Sequence, residues 1–242
     1  MGKIFAVTSG KGGVGKSTFS VGISISLAHT KSNVLLIDMD SGLRCLDLML
    51  EVSDKLVFDI ADVLDGTELE SAILSIDAVP NLNLLAASYD KNIDAEKFNQ
   101  FILNTVDLYD YVILDFPAGI DLANYKNLPT DTVFITVCTP DPVSIRDASV
   151  MANKISEFSD NRRIVINKFS LKNIKNGKNA NIDEIIDSSQ TRLLGLVPFD
   201  ENMPHLTLKQ RIKPFSRTYK AYMRIAKRLC GENLPLKKLS KI

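Results

Sequence analysis

The chain has 242 residues, 45% of them hydrophobic, enough for one sizeable domain with a buried core. Its 29 basic residues balance 29 acidic ones, which excludes an overall field that would draw nucleic acid to the whole surface. Three widely spaced cysteines, Cys45, Cys138 and Cys230, exclude a disulfide framework and a paired-cysteine metal site.

The predicted elements run in a regular order. Ile4-Phe5-Ala6-Val7 is a short apolar strand that enters a glycine-rich loop, and a helix follows to about His29 with Val21, Ile25 and Ala28 on one stripe. Residues 33–37 form a buried strand ending at Asp38 and Asp40. A short helix over 59–64, a strand over 82–86 and a helix over 94–106 come next, the last with Phe98, Ile102 and Val106 inward. Residues 111–114 are a buried strand closed by Asp115, and 132–137 another. After Pro140 and Pro142 a helix is expected over 143–158, then strands over 163–167 and 193–197 with an exposed polar loop, 172–180, between them. A last helix covers about 215–230. Strands alternating with helices along the whole length give an α/β fold with a mostly parallel sheet and no second domain. The first strand begins at Lys3 and the apolar runs are strand-sized, so neither a secretory signal nor a membrane span is expected. A cytoplasmic protein follows, with reversible contact at the inner face of the cell membrane as its furthest excursion.

Gly10 to Thr18 fits G-x-x-x-x-G-K-[ST], with Gly10, Gly15, Lys16 and Ser17 at the fixed places. Between a strand and a helix, such a loop turns backbone N–H groups toward phosphate and adds the helix N-terminus. Lys16 is expected to neutralise the β- and γ-phosphates, Ser17 to ligate Mg2+, and Thr18 to donate to the α-phosphate. Asp115 is placed as a carboxylate acting on Mg2+ through water, and Asp38 and Asp40 sit at a strand end where open α/β sheets bind ligands. His29 closes the first helix, His205 reads as a surface residue, and Cys138 as a small core residue.

The run Lys11-Gly12-Gly13-Val14-Gly15-Lys16-Ser17-Thr18 resembles the deviant Walker A loop of the MinD/ParA family of ATPases, marked by the extra lysine at Lys11. Asp38 to Asp47 is similar to the switch I stretch of the MinD branch, with Cys45 where an asparagine is expected, and Asp115 to Ile120 to its switch II segment. Pro140 to Ala148 and Leu194 to Asp200 are similar to further family signatures, so the likeness spans about residues 2–232. It implies a three-layer P-loop NTPase fold and an Mg2+-dependent ATPase that cycles between an ADP-bound monomer and an ATP-sandwiched homodimer. In that dimer Lys11 would reach the phosphates held by the other subunit. Two neighbouring lysines also point that way, since they repel unless a multiply charged anion satisfies both. The resemblance further implies that Asp40 orients the attacking water, that Asp38 helps organise Mg2+, that Asn167 reads adenine, and that Pro198 and Asp200 line the base side. It gives Asp141 and Arg146 to a partner-facing surface, and it implies slow hydrolysis until a protein activator completes the site, with a client protein recruited by the ATP form.

Residues 209–241 carry 11 Lys or Arg and one acid, Glu232, which reads either as a solvated helical face or as an electropositive surface. Residues 233–242 form a short basic tail beyond the domain of 1–232, with Leu236, Leu239 and Ile242 on one side of a helix started by Pro235. Three such side chains contribute about 5 kcal/mol when buried, a marginal anchor that a dimer would double. Membrane contact, a frayed end and a protein-binding peptide all remain open for it. Cell-division site selection is the leading process. A flagellar-number regulator is the nearest alternative, though its branch carries a long segment before the phosphate loop, and a partition ATPase binding DNA nonspecifically is the more distant one.

Overall fold

A computed structural model describes residues 2–41, 44–89, 93–119, 126–203, 207–211 and 213–236. Its strands are β1 (Lys3–Thr8), β2 (Val34–Asp38), β3 (Leu74–Ser75), β4 (Leu82–Leu85), β5 (Tyr111–Asp115), β6 (Val133–Cys138), β7 (Arg162–Phe169) and β8 (Arg192–Pro198). They form one sheet in the order β3-β4-β2-β5-β1-β6-β7-β8. Every pairing is parallel except β3 with β4. Strands buried on both faces read as continuous apolar runs, which is why Val34 to Ile37 and Val112 to Leu114 carry no alternation.

The helices are α1 (Lys16–Ala28), α2 (Leu46–Met49), α3 (Ile60–Leu64), α4 (Leu69–Ala72), α5 (Ala95–Thr105), α6 (Pro142–Ser156), α7 (Leu171–Lys175), α8 (Ile182–Ser189), α9 (Leu208–Arg211) and α10 (Arg217–Leu229). On one face of the sheet, Phe19 and Ile23 of α1 pack with Tyr222 and Ile225 of α10 over Phe5 and Val165. On the other, Ile60, Phe98, Ile102, Met151 and Ile155 from α3, α5 and α6 cover Ala6, Ile37 and Leu114. The expected three-layer α/β architecture is therefore present.

Side-chain caps begin most of the longer helices. Asp94, Asp141, Asn181 and Ser216 accept backbone N–H groups of α5, α6, α8 and α10. The sequence expectation for α1 was one apolar stripe. Instead it is buried around its circumference, because α10 lies across its outer side and Gly22 admits the Tyr222 ring. Residues 172–180 are not wholly a loop either. Ser170 caps α7 by accepting from Asn173 N–H at 3.4 Å, so the loop proper is the stretch between Lys175 and the start of α8 at Ile182. His29 follows α1 as expected and shares a 2.8 Å hydrogen bond with the Tyr219 hydroxyl, while Cys138 is fully buried.

At the C-terminal end, Arg228 of α10 donates to the Leu234 carbonyl at 2.9 and 2.8 Å, and Arg224 donates to the Pro235 carbonyl. The first part of the tail is thus strapped to α10. Leu239, Ile242, His205, Gly42, Leu43 and Ile120 lie outside the described residues.

Candidate functional site

Parallel pairing aligns the carboxyl ends of β1, β2 and β5, so Asp38 and Asp115 become register partners beside the loop that leaves β1. This rim is where the strand order changes direction around β1, the position at which open α/β sheets hold ligands. The loop turns into α1 through Gly15 at φ +89°. A Cβ at Gly15 would also sit 2.4 Å from Asn167 Nδ2, so glycine is required there twice over.

Lys16 opens α1 with its side chain buried. Its Nζ lies 2.9 Å from Asp115 Oδ1 and donates to Ser17 Oγ at 3.2 Å. Ser20, one helical turn on, donates to the same Asp115 oxygen at 2.6 Å. Asp115 Oδ2 is buried and has no hydrogen-bond partner among the described residues. Across the register, Asp38 Oδ1 accepts the Asp40 N–H at 3.0 Å, and its Oδ2 accepts those of Cys45 and Leu46 at 3.3 Å each. Burial, with the charge of Asp115 beside it, pushes the Asp38 carboxyl up to about 6 in spite of these bonds. The Cys45 thiol, hydrogen-bonded to Ser17, is pushed up to about 11, chiefly by burial.

Two buried carboxylates thus stand side by side, Asp115 paired with Lys16 and Asp38 held by backbone N–H groups, next to a hydroxyl and with one Asp115 oxygen unsatisfied among the described residues. Oxygen donors with surplus negative charge fit a hard divalent cation such as Mg2+, so Ser17, Asp38 and Asp115 form a chemically consistent donor set.

Lys11 stands further out, half-exposed, with its Nζ 3.6 Å from Asp141 Oδ1. Burial works against the charge of Asp141, but Thr139 Oγ1, the Ser144 N–H and Lys11 hold its carboxyl below the usual range. The sequence argument from lysine repulsion therefore needs correction. Each lysine has its own carboxylate within the chain, Asp115 for Lys16 and Asp141 for Lys11. Arg146 is engaged with its neighbour Asp147 at 3.0 Å.

A cavity of about 500 Å3 opens beside the loop, lined by Gly15, Thr18, Asn167, Pro198, Asp200 and Tyr222 among others. That volume suits a nucleoside. Asn167 reaches it as expected, yet its Nδ2 also donates to the Val14 carbonyl at 2.8 Å. Asp200 is occupied locally, accepting from Asn202 N–H at 3.0 Å and from the Thr218 hydroxyl at 3.4 Å, so it orders the loop after β8. Pro198 ends β8 at the cavity wall.

Sequence reasoning missed Ser20 and Lys168. The first was signalled by its i+4 spacing from Lys16. The second, whose Nζ donates to the Gly13 carbonyl at 2.8 Å, left no signal, because 155 residues separate the partners.

Comparison with known proteins agrees with this fold. The family model for the CobQ/CobB/MinD/ParA nucleotide binding domain matches residues 5–212. The septum site-determining protein MinD of Bacillus subtilis is 33% identical over 250 residues, covering 99% of this chain and 93% of that protein. Its counterpart in Helicobacter pylori is 32% identical over 248 residues, covering 97% and 92%. Among solved structures, a chain of the MinC:MinD cell division protein complex of Aquifex aeolicus superposes with a TM-score of 0.88 at 32% identity, covering 98% of this chain and 99% of that one. The chain belongs to the CobQ/CobB/MinD/ParA nucleotide-binding family.

Proposed function

We propose that this protein is a MinD-like, Mg2+-dependent ATPase that cycles between an ADP-bound monomer and an ATP-sandwiched homodimer, and that the dimer recruits a client protein at the membrane to select the division site. The observation that carries this reading is the buried cluster of Lys16, Asp115 and Asp38 around the phosphate loop, with Lys11 held outside it. It is supported by the likeness to MinD chains over nearly their full length.

Ser17, Asp38 and Asp115 would hold Mg2+, which when bound supplies positive charge against the phosphate oxygens. Lys16 and the loop N–H groups bind the β- and γ-phosphates, and Thr18 donates to the α-phosphate. Asn167 recognises adenine with its remaining donor and acceptor capacity, between Pro198 and the loop of Asp200. Asp40 orients a water for in-line attack on the γ-phosphorus, and the γ-phosphorus bond to the ADP oxygen breaks. Lys11 of the partner subunit stabilises the charge that develops, so hydrolysis waits on dimerisation and on an activator protein.

One measurement tests the membrane switch: sedimentation of the full-length protein with phosphatidylglycerol-containing vesicles in Mg-ATP and in Mg-ADP, beside a variant ending at Asn233. Binding that needs both ATP and the tail is the expected result. Equal binding in the two nucleotides, or none in ATP, overturns the membrane switch. A second reading, a DNA-binding partition ATPase, draws on the basic outer face of α10, where Arg217, Lys220, Arg224 and Arg228 line one groove. ATP-dependent retention on DNA without retention on vesicles would favour it.

A further inference from the structure

The end of β7 carries an unusual pair. Asn167 and Lys168 lie in a stretch where the register with β8 shifts, between Ile166 and Phe169. Lys168 has φ +53°, a left-handed conformation that a long side chain rarely adopts. Its N–H donates to Asn167 Oδ1 at 2.9 Å, which fixes the amide so that Nδ2 faces the phosphate loop. From there Nδ2 donates to the Val14 carbonyl at 2.8 Å, and Lys168 Nζ donates to the Gly13 carbonyl at 2.8 Å.

A trans peptide is planar, with its C=O and N–H pointing opposite ways. The Gly13 carbonyl shares its plane with the Val14 N–H, and the Val14 carbonyl shares its plane with the Gly15 N–H. Two donors on the β7 side therefore turn two successive N–H groups away from β7. Among the described residues, neither the Val14 nor the Gly15 N–H finds an acceptor in the protein. Successive inward N–H groups are what an anion cradle requires.

We propose that Lys168 is a positioning residue for the phosphate loop. Through the Gly13 carbonyl it aims the Val14 N–H at the bound phosphates, and through Asn167 it does the same for Gly15. The left-handed backbone at Lys168 is the local cost of putting both donors on one side. This deepens the ATPase reading and rests on it for the identity of the anion. The latch itself is made by the chain alone.

The test uses Lys168→Met, which keeps the chain length and removes the donor, Lys168→Gly, which removes the donor and relaxes the backbone, and Lys168→Arg, which restores a donor. In ligand-free 15N-labelled protein, the Val14 and Gly15 amide resonances should shift or broaden in the Met and Gly variants and return toward wild type in the Arg variant. Dissociation constants for Mg-tripolyphosphate and Mg-ATP should rise together by about tenfold, the scale of one charged hydrogen bond. The rise should be the same at low and high salt, whereas a pure field effect is screened. Unmoved Val14 and Gly15 amides overturn the proposal. So does a loss for ATP but not tripolyphosphate, which would make Lys168 a base contact, or a loss that disappears in salt. If wild-type protein bound neither probe, the nucleotide reading would fail while the amide measurement still decided the latch.

Discussion

Lys16 Nζ and Asp115 Oδ1 stand 2.9 Å apart with side-chain exposures of 6% and 0%, an ion pair closed off from water at the start of α1. Among the described residues, the pair is completed by the Ser20 hydroxyl on Asp115 and the Ser17 hydroxyl on Lys16. Removing one member of such a pair leaves a buried charge uncompensated.

Lys16→Met is therefore expected to cost about 3 kcal/mol of stability as well as nucleotide hydrolysis. Urea denaturation of the nucleotide-free protein measures the first effect apart from the second. Adding Asp115→Leu to the same chain should restore much of the stability and none of the hydrolysis. An unchanged urea midpoint in the single variant would show that the pair contributes nothing to the fold.

Asp38 gives the folded protein a pH signature. Its carboxyl, ordinarily near 3.8, sits at about 6 in the fold, first through burial and then through the charge of Asp115. The folded state thus keeps a proton that the unfolded chain has already released. That contribution is complete below the unfolded value and is lost as pH rises through about 6. In EDTA, stability should fall by about 2 to 3 kcal/mol from this group between its unfolded and folded values, and Asp38→Asn should flatten that part of the profile. A wild-type profile parallel to that of the Asn variant would refute the assignment.

The contact of Lys11 with Asp141 is half-exposed on both sides, so it is worth little to the fold. Lys11→Ala should leave the urea midpoint within about 0.5 kcal/mol of wild type and abolish ATP-dependent dimerisation in sedimentation velocity. A variant that still dimerised fully in ATP would remove Lys11 from the interface chemistry.

Packing between α1 and α10 depends on Gly22. A Cβ there would lie 2.5 Å from Tyr222 Cε2, inside a ring that is itself buried and unable to swing clear. Gly22→Ala should destabilise the protein by about 1 to 3 kcal/mol through overpacking. Thermal unfolding reads this directly, and an unshifted midpoint would mean that α10 moves aside freely.

Much of this molecule was legible in its sequence because the signals are local. Strands such as β2 and β5 are unbroken apolar runs ending in aspartate, and the spacing of Gly10, Gly15, Lys16 and Ser17 declares the loop without any tertiary information. What was hidden is either short or distant. α7 has no buried residue and depends on the Ser170 cap, so its polar sequence reads as loop. Asp38 was legible as a strand-end carboxylate, but not as an acceptor for the N–H groups at the start of α2, seven and eight residues away. Lys168 occupies a backbone region that no propensity assigns to lysine.

The strap formed by Arg228 has a consequence for behaviour at high concentration. Its Nη1 also donates to the carbonyl of Leu194, so one guanidinium spans β8 and the departing chain. β8 is the outer strand on its side of the sheet, and on the far side the margin is β3, two residues long and antiparallel. Outer strands with free acceptors invite other chains to add to them, and fibrous aggregates begin that way. Here one margin is crossed by an arginine and the other is cut short. Self-association by sheet extension is discouraged at both ends.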